Sequence, residues 1–309
     1  MPDRNIFLSV VIPLYNEAEN IPPLLEALQR ALADIRHEIV LVDDGSKDST
    51  ADIARRYLSN TIRLVELDGN FGQTAALAAG IDMAAGNYIA TLDGDMQNDP
   101  ADIPRMLDLL LARNIDMVTG WRKNRKDSRF FRCMPSLIAN HVIRLACGAP
   151  IHDSGCTLKV MTAAMARRIE WRGQMHRFIP VLAHMAGGHV EETEVVHHSR
   201  RHGISKYGMS RVLKVSGDVV LLWFLRHYRD RPMYGFGRVG LGLLLADAFL
   251  VALCLATGHD FDLITATLLL GVQLIALGIL AELVLRTGPA KKNYVLKTPD
   301  NSLRGVSRL

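Results

Sequence analysis

The sequence predicts an α/β domain built on an open sheet, followed by a hairpin of two membrane-spanning helices. Three observations carry this prediction. Short β-branched runs alternate with helical patterns between residues 7 and 119. Polar clusters rich in aspartate follow several of those runs. Finally, residues 239–285 are far richer in apolar side chains than the charged first two thirds of the chain.

The first strand, helix and second strand lie at the beginning of the chain. Residues 7–13 form a β-branched run ended by proline, and residues 39–42 form a second run ended by two aspartates and a glycine. Residues 17–35 place leucine and isoleucine at helical spacing. The pattern then continues with a helix at 49–57, a strand at 62–66, an alanine-rich helix at 73–85, a strand at 88–92, a helix at 103–112 and a strand at 116–119.

The polar clusters that follow these strands are expected to meet. They comprise residues 15–17, 43–46, 93–99 and 121–122. In an open α/β sheet, ligands bind at the carboxyl ends of the strands, so folding brings the four clusters to one edge. Within the third cluster, Asn98, Asp99 and Pro100 are expected to cap the helix that follows.

The C-terminal third predicts a membrane hairpin. Residues 239–257 and 263–285 are each long enough to span the hydrocarbon core, which takes about 20 residues. Two buried helices of a soluble core are the alternative, but neither run has a polar face. Residues 258–262 contain no Lys or Arg, whereas both flanks of the hairpin do, which predicts that both ends are cytoplasmic. The polar exceptions Asp247, Gln273 and Glu282 are expected to face other helices in an oligomer.

These patterns predict four regions and limit the class of protein. The four regions are a domain at 1–208, a juxtamembrane amphipathic region at 209–235, the two membrane helices at 236–288 and a cytoplasmic tail at 289–309. The formal charge of +4 is too small to indicate nucleic acid and fits attraction to lipid headgroups. The four cysteines show no CxxC spacing, so neither a zinc site nor a disulfide framework is predicted. No signal peptide is expected at the N-terminus.

The triplet Asp93-Gly94-Asp95 is the strongest chemical signal in the sequence. Alternate carboxylates at a strand end can share a divalent cation held against a diphosphate, and Gln97 adds a neutral oxygen ligand. An acidic pair in a loop is more often a solvated turn. Here the preceding strand carries the pair to the sheet edge, which favours the metal site.

Four motifs resemble the successive signatures of family 2 glycosyltransferases: VVIPLYNEAENI, VDDGSKDST, NFGQTAALAAGI and LDGDMQNDP. Later motifs, GWR, DSGCTLK, RFIP and RRHGISKY, resemble the polyprenyl-phosphate glycosyltransferases of that family, which include dolichol-phosphate mannose synthase, bactoprenol glucosyltransferases and the undecaprenyl-phosphate aminoarabinose transferase. The resemblance covers nearly the whole chain. It implies a GT-A fold, a mixed and mostly parallel sheet that binds a nucleotide-sugar.

For the donor, the resemblance implies that Pro13, Tyr15 and Glu17 line the nucleotide pocket and that Asp43 or Asp44 reads the base. Glu17 and Asp44 have a second interpretation as helix-cap or turn residues, because acids before helices are commonly caps. The metal and diphosphate site, for Mg²⁺ or Mn²⁺, matches the acidic triplet and Gln97. His197 and His198 are predicted to be structural, since no other ligand stands at metal-binding spacing.

For the acceptor, the resemblance implies that Arg122, Arg132 and Ser136 hold a lipid phosphate. Arg132 and Ser136 stand one helical turn apart. Asp153 has two readings: it orients Arg122 or Arg132, or it simply begins the turn of the DSGC motif.

Arg200 and Lys206 match basic residues that close over the diphosphate from a mobile loop. No catalytic base is required, because a phosphate monoester with a second pKa of about 6 is already largely a dianion at neutral pH. The obstacles are alignment and the charge that develops on the departing nucleoside diphosphate.

Together these features predict inverting transfer of one sugar from a UDP- or GDP-sugar to a polyprenyl phosphate at the cytoplasmic face of the inner membrane, by a homo-oligomer, a tetramer from the resemblance. Three other functions fit the sequence less well. A processive polysaccharide synthase would have tryptophan where Phe178 stands and more than two spans. A non-catalytic nucleotide-sugar scaffold would be expected to lose one of the site charges. A flippase subunit would need more polar residues in the membrane.

Overall fold

The computed structural model describes residues 7–123, 148, 151–171, 175–198, 223–224, 226–228, 231–257, 262–287, 294 and 296–297. The chain divides into two compact units. The sheet unit comprises Met1–Val215 with Lys292–Leu309, and the helical unit comprises Ser216–Lys291.

The sheet unit is organised around a seven-stranded sheet in the described part of the chain. In chain order its strands are β1 (Leu8–Leu14), β2 (His37–Asp43), β3 (Ile62–Glu66), β4 (Tyr88–Thr91), β5 (Met117–Trp121), β6 (Lys159–Thr162) and β7 (Val190–Glu194). The spatial order is β3-β2-β1-β4-β6-β5-β7. Only β6 runs antiparallel to its neighbours β4 and β5. The predicted mixed, mostly parallel sheet is therefore confirmed.

Helices cover both faces of the sheet. They are α1 (Ile21–Ala31), α2 (Thr50–Arg56), α3 (Gln73–Met83), α4 (Asp102–Arg113), α5 (Ala163–Arg168), a 3₁₀ turn (Met175–Phe178) and α6 (Ile179–Met185). Side chains alternate along β1, so Val10 and Ile12 pack toward α1, α2 and α4, whereas Val11 packs toward α3, α5 and α6. Two apolar layers thus enclose the sheet.

Two helix starts differ from the sequence prediction. The first helix begins at Ile21 and not at residue 17, because its prolines occupy the first helical positions, where a missing amide is tolerated. The predicted cap of α4 by residues 98–100 is wrong: its N-cap is Ala101, which makes no side-chain cap bond. Asp99 instead accepts from the Ala101 amide at 3.0 Å and forms the turn that precedes the helix.

A segment close to the C-terminus returns to the sheet unit. Leu296 forms an antiparallel bridge with Leu67, just beyond the edge strand β3, and the Lys297 amide donates to the Glu66 carbonyl at 3.0 Å. The Tyr294 hydroxyl donates to Asp82 at 2.7 Å. We call Tyr294, Leu296 and Lys297 the return segment.

The helical unit contains two long helices, α7 (Pro232–Thr257) and α8 (Asp262–Thr287). Each contains a stretch long and apolar enough to cross a membrane, with mean hydropathy 1.8 at Pro232–Leu253 and 2.2 at Thr267–Val284. Their outward side chains include Leu245 and Phe249, which are 64% and 69% exposed. Exposed apolar surface of this kind suits contact with lipid.

The two helices pack closely where both carry glycine. A Cβ atom added at Gly240 would lie 2.7 Å from the carbonyl oxygen of Gly271, so the backbones approach too closely for a larger residue. The buried Asp247 accepts a hydrogen bond from the Thr267 hydroxyl at 2.5 Å. This polar residue, which the sequence assigned to contacts between helices, thus has a partner within its own hairpin.

Candidate active site

The site lies at the edge of the sheet where β1, β2, β3, β4 and β5 end and where the segment before β6 arrives. Because these strands are parallel, the loops that follow them converge. The loop after β4 passes so close to β1 that a Cβ atom at Gly94 would lie 2.6 Å from Leu14 Cδ2. The predicted convergence of the polar clusters is therefore observed for the described residues.

The loops after β1 and β2 are joined by hydrogen bonds. Asn16 adopts a left-handed backbone conformation (φ 56°), and its side-chain oxygen accepts from the Lys47 amide at 2.8 Å. The Glu17 amide donates to the Thr50 hydroxyl at 2.8 Å, and its carboxylate accepts from the Asn20 side chain at 2.6 Å. These bonds fix Tyr15 and Glu17, both partly buried, beside the end of β2.

The two aspartates that end β2 have different partners, although both are buried. Asp43 accepts from the Ser46 amide at 3.3 Å. Asp44 accepts from the Phe71 and Gly72 amides at 2.7 and 2.9 Å, which ties the β2 loop to the β3 loop. Burial raises the pKa of Asp44 despite these two bonds. These bonds join two distant loops and are neither a local turn nor a cap of α2, so the base-reading role of Asp43 or Asp44 stays a prediction.

The acidic triplet lies in a constrained loop. Asp95 is 6% exposed and accepts from the Gln97 amide at 3.2 Å. Met96 between them has φ 60°, a conformation that non-glycine residues rarely adopt outside functional or tightly determined loops. The Gln97 carbonyl accepts from the His198 amide at 2.8 Å.

Asp93 is partly buried and held by hydrogen bonds from two sides. The Gln73 amide nitrogen, at the start of α3, donates to its carboxylate at 2.6 Å, and the Thr157 hydroxyl donates from the segment before β6. Asn98 in turn donates to Thr157 at 2.8 Å. Burial, followed by the negative charge of Asp95, raises the pKa of Asp93 to about 7.

Arg122 and Asp153 form a bidentate ion pair with little exposure. Arg122 Nε lies 2.8 Å from Asp153 Oδ2, and Nη2 lies 2.9 Å from Oδ1. Burial alone would lower the pKa of Arg122, but the hydrogen bonds and charge of Asp153 outweigh it and raise that pKa. The Asp153 amide also donates to Glu192 at 2.9 Å. Both readings of Asp153 are observed: its carboxylate orients Arg122, and its carbonyl accepts from the Cys156 amide at 3.4 Å in the turn of the DSGC motif.

Several residues of the site were given no catalytic, ligand-binding or metal-binding role by the sequence prediction, although most of them lie within the quoted motifs. They are Gln73, Asn98, Thr157, Lys159 and His176. Lys159 is the most unusual, because its side chain is 0% exposed. Burial lowers its pKa to about 8, and its ammonium donates to the Cys156 carbonyl. A lysine within the apolar run of β6 was a signal available in the sequence.

Not every predicted site residue can be placed. Arg132, Ser136, Arg200 and Lys206 lie outside the described residues. Their roles stay predictions that follow from the resemblance.

The paired histidines contact the acidic loop in a way that fits structural roles. His198 Nε2 lies 3.1 Å from Asp99 Oδ2, and His197 bridges to Asn98 through the backbone. Burial would raise the pKa of Asp99, but the Ala101 amide and His198 outweigh it and lower that pKa.

Within the part of the chain that the structure describes, no group of three His, Cys, Asp or Glu side chains converges to hold a metal. A cation bound against a diphosphate does not need one, since Mg²⁺ commonly takes one or two carboxylates and completes its shell with waters and phosphate oxygens. The two carboxylates of the triplet and the neighbouring Gln97 amide are oxygen donors of the kind that such a cation prefers. The donor set therefore fits a divalent cation.

Comparison with known structures identifies the fold class. The chain superposes on glucosyl-3-phosphoglycerate synthase of Mycobacterium tuberculosis, solved with Mn²⁺, UDP and phosphoglyceric acid, with a TM-score of 0.54 at 16% identity, over 72% of this chain and 78% of that one. S. aureus TarS in complex with UDP-GlcNAc gives a TM-score of 0.52 at 16% identity, over 71% and 67%. The predicted GT-A fold is confirmed.

Sequence comparison covers almost the whole chain. Dodecaprenyl-phosphate galacturonate synthase of Rhizobium johnstonii is 42% identical over 316 aligned residues, 96% of this chain and 94% of the relative. Undecaprenyl-phosphate 4-deoxy-4-formamido-L-arabinose transferase of Pseudomonas paraeruginosa is 35% identical over 89% of this chain and 84% of the relative. The family described as glycosyl transferase family 2 matches residues 9–169. The chain is a glycosyltransferase and belongs to glycosyl transferase family 2.

Proposed function

We propose that this protein transfers a single sugar, with inversion, from a nucleoside-diphosphate sugar to a polyprenyl phosphate. One observation carries the proposal: the acidic sheet edge and the two membrane-length helices occur in one chain, and a dodecaprenyl-phosphate galacturonate synthase aligns with 96% of it. A soluble acceptor would not require helices with exposed apolar faces.

The donor is proposed to bind at the ends of β1, β2 and β4. Pro13, Tyr15 and Glu17 would line the nucleotide pocket, with Asp43 reading the base and Asp44 acting through the loop that it holds. Asp93, Asp95 and Gln97, which share the loop after β4, would hold Mg²⁺ or Mn²⁺. When bound, the cation would offset the negative charge of the diphosphate.

The acceptor is proposed to approach from the side of Arg122. The Asp153 carboxylate fixes the guanidinium through two bonds, so the remaining N–H groups are presented in one orientation for a phosphate. Arg132 and Ser136 would complete the phosphate site. Arg200 and Lys206 would cover the diphosphate, as the resemblance implies.

The reaction requires alignment more than proton transfer. The carrier phosphate, already largely a dianion, attacks the anomeric carbon, and the bond to the nucleoside diphosphate breaks as the new bond forms. The residues of the site hold the two reactants in line and stabilise the charge on the leaving group. Inversion would give a β-linked product from an α-linked donor.

The protein is proposed to reside in the inner membrane, with the sheet unit on the cytoplasmic side. Arg226 and Arg231 precede the first helix, Arg238 lies in its first two turns, and Lys291, Lys292 and Lys297 follow the second helix, whereas the connection at 258–262 has no Lys or Arg. A homo-oligomer, a tetramer from the resemblance, is the proposed assembly.

The test is transfer by the purified protein from radiolabelled donors into undecaprenyl phosphate, with and without Mg²⁺ or Mn²⁺. The panel would include UDP-galacturonate, UDP-4-deoxy-4-formamido-L-arabinose, UDP-glucose, UDP-N-acetylglucosamine and GDP-mannose. We expect cation-dependent label in the lipid phase and its loss in Asp95→Asn. Asp108→Asn, which removes an exposed carboxylate on α4, is the matched control.

Two outcomes would reject the proposal. Label in a polymer of high mass would indicate a processive synthase. Nucleotide binding without transfer from any donor would indicate a non-catalytic scaffold.

A further inference from the structure

We propose that Lys159 is a positioning residue that supplies the buried positive charge against which Asp93 is held at the donor site. The proposal rests on the proposed function, because it concerns how the carboxylate that would meet the cation and diphosphate is maintained.

The strand register places Lys159 under the acidic loop. Lys159 begins β6 and pairs with Thr91 at the end of β4 on one side and with Thr119 of β5 on the other. Asp93 follows Thr91 by two residues. Both Lys159 and Asp93 line a small crevice, together with Gln73, Thr157 and His176. The lysine thus reaches the site from within the sheet.

The contacts of Lys159 leave its charge available to Asp93. Its ammonium donates to the Cys156 carbonyl, a neutral partner that satisfies a hydrogen bond and leaves the charge in place. Lys159 and Arg122 are the two cations that act electrostatically on Asp93 among the described residues. The guanidinium of Arg122 is already engaged by both oxygens of Asp153. Lys159 is therefore the better placed counter-charge.

Fold stability alone does not account for this lysine. Its neighbours along the chain, Leu158, Val160 and Met161, are buried apolar residues, and an apolar side chain of similar length would pack there without desolvating an ammonium. A fully buried lysine is rare unless it is paired. The acidic pair above it provides the reason, because Asp93 and Asp95 repel each other in a partly buried loop.

The consequence is specific to the donor side. Without the lysine charge, the Asp93 carboxylate would lose the cation that shares its crevice, and the binding of a divalent cation with its nucleotide would weaken. The acceptor site at Arg122 has its own counter-ion and would change little. A loss of affinity for the nucleotide donor, with unchanged affinity for the carrier, distinguishes a positioning role from a general packing role.

The experiment is a double-mutant cycle in the full-length protein. Lys159→Gln removes the charge but retains a group able to donate to the Cys156 carbonyl, and Lys159→Arg retains the charge. Each would be made alone and with Asp93→Asn. Calorimetry would measure the affinity for UDP, or for GDP if UDP does not bind, in the presence of Mn²⁺. Thermal melting would monitor the fold, and initial rates would give separate KM values for donor and carrier.

We expect Lys159→Gln to weaken Mn²⁺-dependent nucleotide binding by about tenfold or more, since a unit charge is lost at close range. In the Asp93→Asn background the same change should weaken it less than about twofold, because the coupling partner is gone. Lys159→Arg should restore most of the affinity. The KM for the carrier should stay within about twofold of the wild-type value.

The proposal is overturned if Lys159→Gln binds nucleotide normally, or if its effect is equally large in the Asp93→Asn background. A fall in melting temperature that Lys159→Arg shares, with equal loss of donor and carrier binding, would likewise assign Lys159 to the fold. Failure of the proposed function would look different: wild-type protein would bind the nucleotide and show the coupling yet transfer no sugar to the carrier.

Discussion

Asp93 is the residue at which pH is expected to control the site. Its pKa is raised to about 7 by burial and by Asp95, so the proton is retained to a much higher pH than in an ordinary aspartate. A proton and a divalent cation compete for the carboxylate. Cation-dependent nucleotide binding should therefore weaken as the pH falls through about 7, by up to about tenfold per pH unit below it.

Calorimetry of nucleotide binding with Mn²⁺ between about pH 5.5 and about pH 8.5 measures this dependence. Asp93→Asn should flatten the profile, and Asp108→Asn should leave its slope intact. A wild-type affinity that is constant across this range would contradict the prediction.

Arg122 is predicted to need its planar shape as well as its charge. Its Nε and Nη2 atoms bond separate oxygens of Asp153, which a single ammonium cannot reproduce. Arg122→Lys should lower kcat/KM for the carrier by about 10- to 100-fold and leave nucleotide affinity nearly unchanged. Initial rates at varied carrier concentration measure the effect, and Arg105→Lys on α4, where the arginine side chain is 54% exposed, is the control.

The two predicted carboxylates of the acidic triplet and the predicted guanidinium of Arg122 share one property: each stands just after a strand, within a quoted motif. That is why Asp93, Asp95 and Arg122 were predicted together. Gln73 and Thr157 were missed because each is a common polar residue whose partner lies far away in sequence. Lys159 could be recognised in the sequence as a charge inside an apolar strand. Its role could not, because that depends on the antiparallel pairing of β6 with β4.

At the scale of elements, the turn after β2 depends on Gly45. This residue has φ +66°, and a Cβ atom there would lie 2.5 Å from the Gly69 carbonyl carbon and 2.8 Å from the Asn70 nitrogen. These are backbone atoms that cannot move aside cheaply. Gly45→Ala should destabilise the sheet unit by about 2 kcal/mol or more and weaken nucleotide binding.

Gly69→Ala is a matched control for this prediction, because a Cβ atom there would meet only Phe71 Cε2 at 3.9 Å. Thermal and denaturant unfolding of the two variants would be compared with the wild type. Equal stability of Gly45→Ala and Gly69→Ala would contradict the proposed steric cause.

The order of strands and helices up to β5 was predictable because its hydrophobic periods are short and regular. The ends of the helices were less predictable. Because of its prolines, α1 begins later than predicted, and before α4 Asp99 forms a turn where a helix cap was predicted. The strands β6 and β7 were not predicted, since β6 has four residues and β7 reads as a charged, partly exposed run. The return segment has no hydrophobic periodicity, so its pairing with Leu67 is visible only in the structure.

At the scale of the whole molecule, connectivity limits how the chain crosses a membrane. The sheet unit holds residues on both sides of α7 and α8 in sequence, because the return segment belongs to it. One folded unit cannot lie on both faces of a membrane. We therefore predict an even number of crossings, which agrees with the two helices and with the positive charges at both flanks.

Reporter fusions test this topology. Alkaline phosphatase, active only outside the cytoplasm, should be inactive when fused after Leu309 and active when inserted between residues 258 and 261. A fluorescent protein that matures only in the cytoplasm should give the opposite pattern. Phosphatase activity at the C-terminus would contradict the even number of crossings.

The return segment also has a consequence for the order of synthesis. Leu296 pairs with Leu67 from far along the chain, so the end of the edge strand β3 lacks the bonds at Glu66 and Leu67 until the residues between them have been translated. An exposed strand edge is prone to pair with another chain. This part of the sheet unit can therefore form only after both apolar helices have been translated, and a chain that ends before residue 294 would lack it.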